Sequence, residues 1–323
     1  MLAYRMTEWG AAPKLVEAPD PVPGPGETLV RVAGCGLCRS DLTMPHIPAA
    51  AGGRLGWSMP FTLGHEVAGW IDGTGEPVAL VSPTSCGVCR YCVRGQDSGC
   101  PHGRAGRGYG RDGGLARYVL VSDRRALLPL GDLDPRHAGP LTDAGATAYH
   151  AVRRALPRIP AGGTVLVIGA GGLGAFAIQF VRVLTAARVV AVDPLPARLA
   201  YAADIGAHDG VPEVSGQADV VLDFVGADET IAAGIAAVRT GGAYGLIGSA
   251  GGGLRGPWFS TLPRDGEVFT FQGSSIADAQ EVIALAGAGL IRNQVEEFAL
   301  TEVGEAYAKL AAGALTGRAV IVP

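Results

Sequence analysis

Four cysteines, Cys86, Cys89, Cys92 and Cys100, are separated by gaps of two, two and seven residues. Four thiolates at such spacing can converge on one tetrahedral ion, and a site so filled keeps no position open for a substrate. The expected role is a structural zinc fixing a loop with little core of its own. An iron–sulfur cluster would also accept four cysteines, but ferredoxin-type clusters use other spacings. A zinc ribbon that reads DNA would need a basic footprint that this segment lacks. A second set is less complete. Cys38 in CGLCRSDL and His65 in LGHEVAG offer one soft and one borderline donor from two separate loops, enough to begin a second zinc site. Taken alone they read equally well as a buried thiol and a hydrogen-bonded core imidazole.

A different chemistry is written at Gly169, Gly171 and Gly174, a G-x-G-x-x-G that includes Gly172 and Leu173 and follows the apolar run VLVI at the head of a helical pattern. The first glycine permits a tight turn, the second lets the backbone approach a pyrophosphate, and the third allows close helix–strand packing. The anion then rests on free N–H groups at the helix start. Asp193 ends the next strand, 19 residues beyond Gly174, where a carboxylate can accept from adenosine ribose hydroxyls and disfavour a 2′-phosphate. NAD is therefore expected over NADP, although Arg198 lies close enough in sequence to serve a phosphate. The plain alternative is an αβ turn followed by a solvated strand end.

These groups need elements to hold them. From Thr164 the sequence alternates strand and helix: TVLVIG, LGAFAIQFVRVL, ARVVAVD, PARLAYAADIG, DVVLDFVG, DETIAAGIAAV, GAYGLIG. That alternation predicts a doubly wound parallel sheet. Residues 20 to 160 instead hold short β-branched runs such as ETLVRVAG and ARYVLVS between Gly and Pro turns, the pattern of a mostly β unit. ADAQEVIALAGAG and VGEAYAKLAAG restore helical spacing near the end, and RAVIVP closes as an apolar strand that needs a sheet to join. Thr164 to Val181 carries no charge over 18 residues, near the lower limit for a membrane span, but its four glycines punctuate a strand, a turn and a helix.

The chain has 323 residues, enough for two domains. With 48% hydrophobic and 17% charged residues it can bury a core. A formal charge of -4 without a basic stripe argues against nucleic acid. The N-terminus lacks an apolar signal region, so a reducing cytoplasmic setting is expected, where six clustered cysteines suggest metal before disulfides.

The order CRSD, GHE, CxxCxxCx7C, LTDAGATAYHAV, G-x-G-x-x-G and a closing GRAVIVP resembles the zinc-containing alcohol dehydrogenases of the medium-chain dehydrogenase/reductase superfamily over nearly the whole chain. The resemblance implies a GroES-like β catalytic domain at 1–141 and 275–323, with a Rossmann domain at 142–274. It implies Cys38 and His65 as catalytic zinc ligands and places the third on Asp143, where the family carries Cys or Asp. The ordinary alternative for Asp143 is the N-cap of the following helix. Asp41 and Glu66 resemble carboxylates that orient a ligating histidine, and Glu66 is also a candidate transient ligand. Arg39 and Arg318 fall where the family places guanidinium groups on the cofactor pyrophosphate. Cys35 matches no ligand position and is expected in the core.

The implied activity is hydride transfer between an alcohol and NAD(H), with two zinc ions per chain, one catalytic and one structural. Zinc lowers the pKa of a bound oxygen, and Ser40 would carry the proton between substrate oxygen and nicotinamide ribose. Animal members end this relay on a histidine five residues after the ligand cysteine, where this chain has Thr43. Trp57, Met59, Tyr109, Trp258 and Phe259 are candidate apolar pocket residues, and a homodimer or homotetramer is expected. Two other readings compete: a reductase of an activated C=C or C=N bond with only the structural zinc, and a non-catalytic protein on the same fold.

Overall fold

The computed structural model describes residues 1–82 and 84–323 and divides into two compact units. The first comprises Met1–Ala146, Gly273–Gly289 and Asn293–Pro323; the second, Thr147–Gln272 and Leu290–Arg292.

The second unit is built on a six-stranded parallel sheet. Across it run Asp209–Val211, Arg188–Val192, Thr164–Ile168, Ala218–Asp223, Val238–Leu246 and Glu267–Thr270. Strand order therefore reverses beside Thr164–Ile168, the first strand in sequence, and such a switch point leaves a crevice at the strands' carboxyl ends. In Thr164–Ile168 every residue after the first is buried, as a strand covered on both faces requires. Gly172–Leu184 follows as a helix with Gly174 to Val181 buried. The uncharged stretch is thus strand, turn and helix, and among the described residues no helix is long and apolar enough to cross a membrane.

The first unit centres on a seven-stranded sheet. Its main path runs Leu127–Pro129, Pro77–Leu80, Glu66–Ile71, Thr28–Gly36, Arg318–Val322 and Val295–Ala299, and Tyr118–Val121 also pairs with Thr28–Gly36. A three-stranded sheet of Lys14–Glu17, Leu2–Met6 and Phe61–Thr62 accompanies it. The closing apolar run finds its sheet: Val320 lies opposite Gly36 and Ile321 opposite Cys35. Cys35 is fully buried in the core with Leu37, Leu63, Val67 and Leu115. Each such leucine contributes on the order of 1.5–3 kcal/mol by burial, so the ends of Thr28–Gly36 and Glu66–Ile71 are held firmly. Cys38 and His65 flank those ends.

Candidate active site

Arg39–His46 forms a short 3-10 helix directly after Cys38, and the Cys38 N–H donates to Asp41 Oδ2 at 3.1 Å. That turn aims Cys38 toward His65, which sits one residue before the strand Glu66–Ile71. Asp143 enters from a third place, between the 3-10 turn Gly139–Thr142 and the helix Ala144–Ala155. One donor atom each from Cys38, His65, Glu66 and Asp143 lies within 4.8 Å of the others. All four belong to the first unit.

The imidazole is held between carboxylates. His65 Nε2 faces Asp143 Oδ2 at 3.3 Å, and Nδ1 lies 3.2 Å from Asp41 Oδ1. The second approach is not aligned as a hydrogen bond, so both of those buried atoms lack a partner. Tyr307 donates its hydroxyl to Asp41 Oδ2 at 3.0 Å. Arg318, 5% exposed, donates to the Leu37 carbonyl and to Glu66, whose Oε2 has no partner.

Burial opposes a charge on His65, but Tyr109, Asp41 and Asp143 outweigh it and raise its pKa well above the ordinary value. Burial likewise opposes ionisation of Asp143, yet His65 and then Arg318 hold its carboxyl down to about 2. Glu66 is pushed up to about 7 by burial, with Arg318 pulling the other way. A fully buried imidazole and carboxyl with orphaned polar atoms, beside a half-buried thiol and second carboxyl, is a costly arrangement as it stands. A divalent cation would relieve it, and soft, borderline and hard donors together suit zinc.

Ser40 Oγ lies 2.7 Å from the Tyr109 hydroxyl, which is 3.2 Å from His65 Nε2. Thr43, exposed, donates to the Ser40 carbonyl at 2.7 Å. Trp57 stands with its ring 6.1 Å from that of Tyr109 and donates its indole N–H to the Arg104 carbonyl. Trp57 and Tyr109 therefore adjoin the donor group, whereas Trp258 and Phe259 are 72% and 83% exposed on the second unit and pack edge-on against each other. Arg39 is exposed. Neither Tyr307 nor its link to Asp41 was foreseen, and 266 residues of separation leave no local signal for it.

The four-cysteine lobe is also assembled. Cys86, Cys89, Cys92 and Cys100 are free thiols with sulfurs within 4.8 Å of one another. Backbone N–H groups near Val88 and Cys89 draw the Cys86 thiol down to about 6, while burial pushes Cys92 up to about 11. Four thiols converging with donors aimed at sulfur fit a closed zinc site. Asp97, 3% exposed, braces the lobe by accepting from Ser85 Oγ, Arg125 and the Ile276 N–H.

In the second unit, Gly169 adopts φ +85°, and a Cβ on Gly174 would meet the Gly169 carbonyl oxygen at 1.8 Å. A Cβ on Gly171 would touch only Arg198, at 3.7 Å, leaving the backbone there approachable. Gly172 and Leu173 open the helix after it. Asp193, 2% exposed, accepts from the Ala170 and Leu195 N–H groups at 3.0 Å, and Arg198 lies 3.4 Å from its Oδ2.

A doubly wound parallel sheet with a glycine-rich turn after its first strand, joined in one chain to a β unit with a mixed-donor metal-type cluster, points to a metal-assisted dehydrogenase as a class. Residues 24–132 match the alcohol dehydrogenase GroES-like domain and residues 172–288 the zinc-binding dehydrogenase family. An NAD-dependent alcohol dehydrogenase of Sulfurisphaera tokodaii is 32% identical over 100% of both chains. A D-arabinose 1-dehydrogenase (NADP(+)) of Saccharolobus solfataricus is 30% identical over 94% of this chain and 92% of its own. The alcohol dehydrogenase of Aeropyrum pernix has the same fold with a TM-score of 0.91, at 29% identity and full coverage of both chains. The chain belongs to the zinc-type alcohol dehydrogenases of the medium-chain dehydrogenase/reductase superfamily.

Proposed function

We propose that the chain interconverts an alcohol and a carbonyl compound with NAD(H), using one catalytic and one structural zinc. The observation that carries this reading is the convergence of Cys38, His65, Glu66 and Asp143 beside the Ser40–Tyr109 hydroxyl pair. Cys38, His65 and Asp143 would hold the catalytic ion, with Glu66 close enough to bind in their place during exchange. Bound there, zinc supplies a Lewis acid for the substrate oxygen, and NAD(H) supplies the partner for hydride.

The remaining work falls to side chains. Asp41, anchored by Tyr307, keeps the His65 ring oriented so that Nε2 faces the ion site. Ser40 accepts and donates through one oxygen, and the adjoining Tyr109 hydroxyl fixes its direction, so Ser40 can take a proton from the substrate oxygen. Ser40 would hand the proton to the nicotinamide ribose, and because Thr43, engaged on the Ser40 carbonyl, offers no basic group, the proton leaves the ribose by another route than a histidine there. Trp57 and Tyr109 provide apolar surface for the substrate.

For the cofactor, the turn Gly169, Gly171, Gly172, Leu173 and Gly174 would carry the pyrophosphate, with Arg39 and Arg318 as its cationic contacts. Asp193 favours NAD, and Arg198 beside it is the residue through which NADP would enter. A cytoplasmic setting suited to six free thiols belongs to the same reading, as does a homodimer or homotetramer, which light scattering on a sizing column measures.

Zinc per chain, by elemental analysis of the untagged protein, tests the proposal. Two ions, falling to one in Cys38→Ala, are expected. One ion in the unaltered protein, still present in Cys38→Ala, would overturn it and favour the reductase with a structural zinc alone.

A further inference from the structure

A cleft of about 500 Å³ opens in the first unit, bordered by Thr84 and Ser85 just before the four-cysteine lobe, with none of the donor residues of either metal-type cluster in its wall. Arg107 and Arg111 line it. They stand on two short paired strands, Gly106–Arg107 and Gly110–Arg111, in a register that sets Arg107 directly opposite Arg111. Like charges opposite one another on a ladder repel, and a guanidinium drawn into the protein without a counter-charge is costlier still.

The carboxylates of the same wall make no ion pair with either arginine, and each has another partner. Asp112 accepts from Arg5 and the Thr62 N–H, Asp20 pairs with the terminal amine, Glu27 caps the Gly24 N–H, and Asp123 accepts from the Arg125 N–H. Arg107 donates to the Leu120 carbonyl at 3.3 Å, its Nε is buried without a partner, and no ion pair forms to it or to Arg111 among the described residues. Burial draws the Arg107 pKa down to about 10, with Cys35 opposing and the Arg111 charge adding to the fall. The hydroxyls of Thr84 and Ser122 line the cleft as further donors.

We propose that this cleft binds a dianionic oxyanion, phosphate or the phosphate group of a small monoester, between Arg107 and Arg111. A planar guanidinium matches two phosphate oxygens at once, and two of them match the charge of the dianion. The site is separate from the nucleotide crevice and does not depend on the activity proposed above.

The test is calorimetric titration of the zinc-loaded protein saturated with NAD, so that the nucleotide site is already filled. Inorganic phosphate and glycerol 3-phosphate are each compared with sodium chloride at matched ionic strength. Saturable binding of one or both is expected, weakened roughly tenfold or more in Arg107→Gln and in Arg111→Gln. The tighter of the two probes tells a free ion from a phosphorylated molecule. Arg111 is exposed, so Arg111→Gln should keep its melting temperature and alcohol turnover and report on the site alone. Heats no different from sodium chloride for both probes, or binding undiminished in Arg111→Gln, would overturn the proposal.

Discussion

The Cys86–Cys100 lobe and the Cys38 cluster draw their donors from very different lengths of chain. The lobe takes four like donors from 15 consecutive positions and sits near the surface, with two of its thiols partly exposed. The cluster takes unlike donors from positions 38, 65, 66 and 143, and His65 and Glu66 are fully enclosed. A local, homogeneous set saturates an ion and turns it into a fastener. A dispersed, mixed set leaves the ion answerable to its surroundings, to Asp41 and Tyr307 behind His65 and to Arg318 behind Glu66. On the function proposed above, the two regions divide the labour between holding the fold and doing chemistry.

Four substitutions test that division. Cys38→Ala should cost on the order of a thousandfold in alcohol turnover, the scale of several kcal/mol of transition-state stabilisation, with little change in melting temperature. A large fall in melting temperature would mean the cluster is also a fastener. Cys89→Ser should do the reverse, removing about 3 kcal/mol of stability and lowering the melting point by roughly 10 °C, while enzyme still folded at low temperature keeps most of its turnover. Scanning calorimetry beside an assay at low temperature separates the two effects.

Ser40→Ala should lower turnover by roughly two orders of magnitude with little change in NADH affinity, measured by steady-state kinetics and fluorescence titration. An unchanged turnover number would remove Ser40 from the proton path. The smallest effect is expected at Asp193→Ser, which should shift the NAD to NADP preference by about tenfold toward NADP, read as the ratio of kcat/KM values. A preference that does not move would place the choice with Arg198 alone.

Legibility in the sequence followed the same division. Cysteine spacing and the glycine turn were readable because their geometry is set within a few residues, where the chain's own reach limits the outcomes. The alternation from Thr164 onward announced the parallel sheet for a similar reason, since each strand and helix carries its own period. Cys38 and His65 could be suspected from their residue types. Asp143 entered only through likeness to a family, because nothing near it in sequence points toward a metal. Tyr307 on Asp41, and Asp97 receiving Ser85, Arg125 and Ile276, could not be read at all. Such contacts exist only once distant strands are in register, and a lone tyrosine or aspartate in a helix or turn has many ordinary uses. Arg107 was missed because a repulsive pair becomes visible only when two short strands meet.

The pairing of Arg318–Val322 with Thr28–Gly36 also sets a timetable for synthesis. As the chain leaves the ribosome, Thr28–Gly36 can gain Glu66–Ile71 on one side and Tyr118–Val121 over part of the other. The stretch around Cys35 and Gly36 must wait until the entire nucleotide unit has been made and residue 318 emerges. For that interval the nascent protein carries an open strand border beside unshielded apolar side chains, the kind of edge that recruits foreign strands or chaperones. Arg318 arrives with the same strand, so closing that border and pairing Glu66 are a single event that follows synthesis of the nucleotide unit.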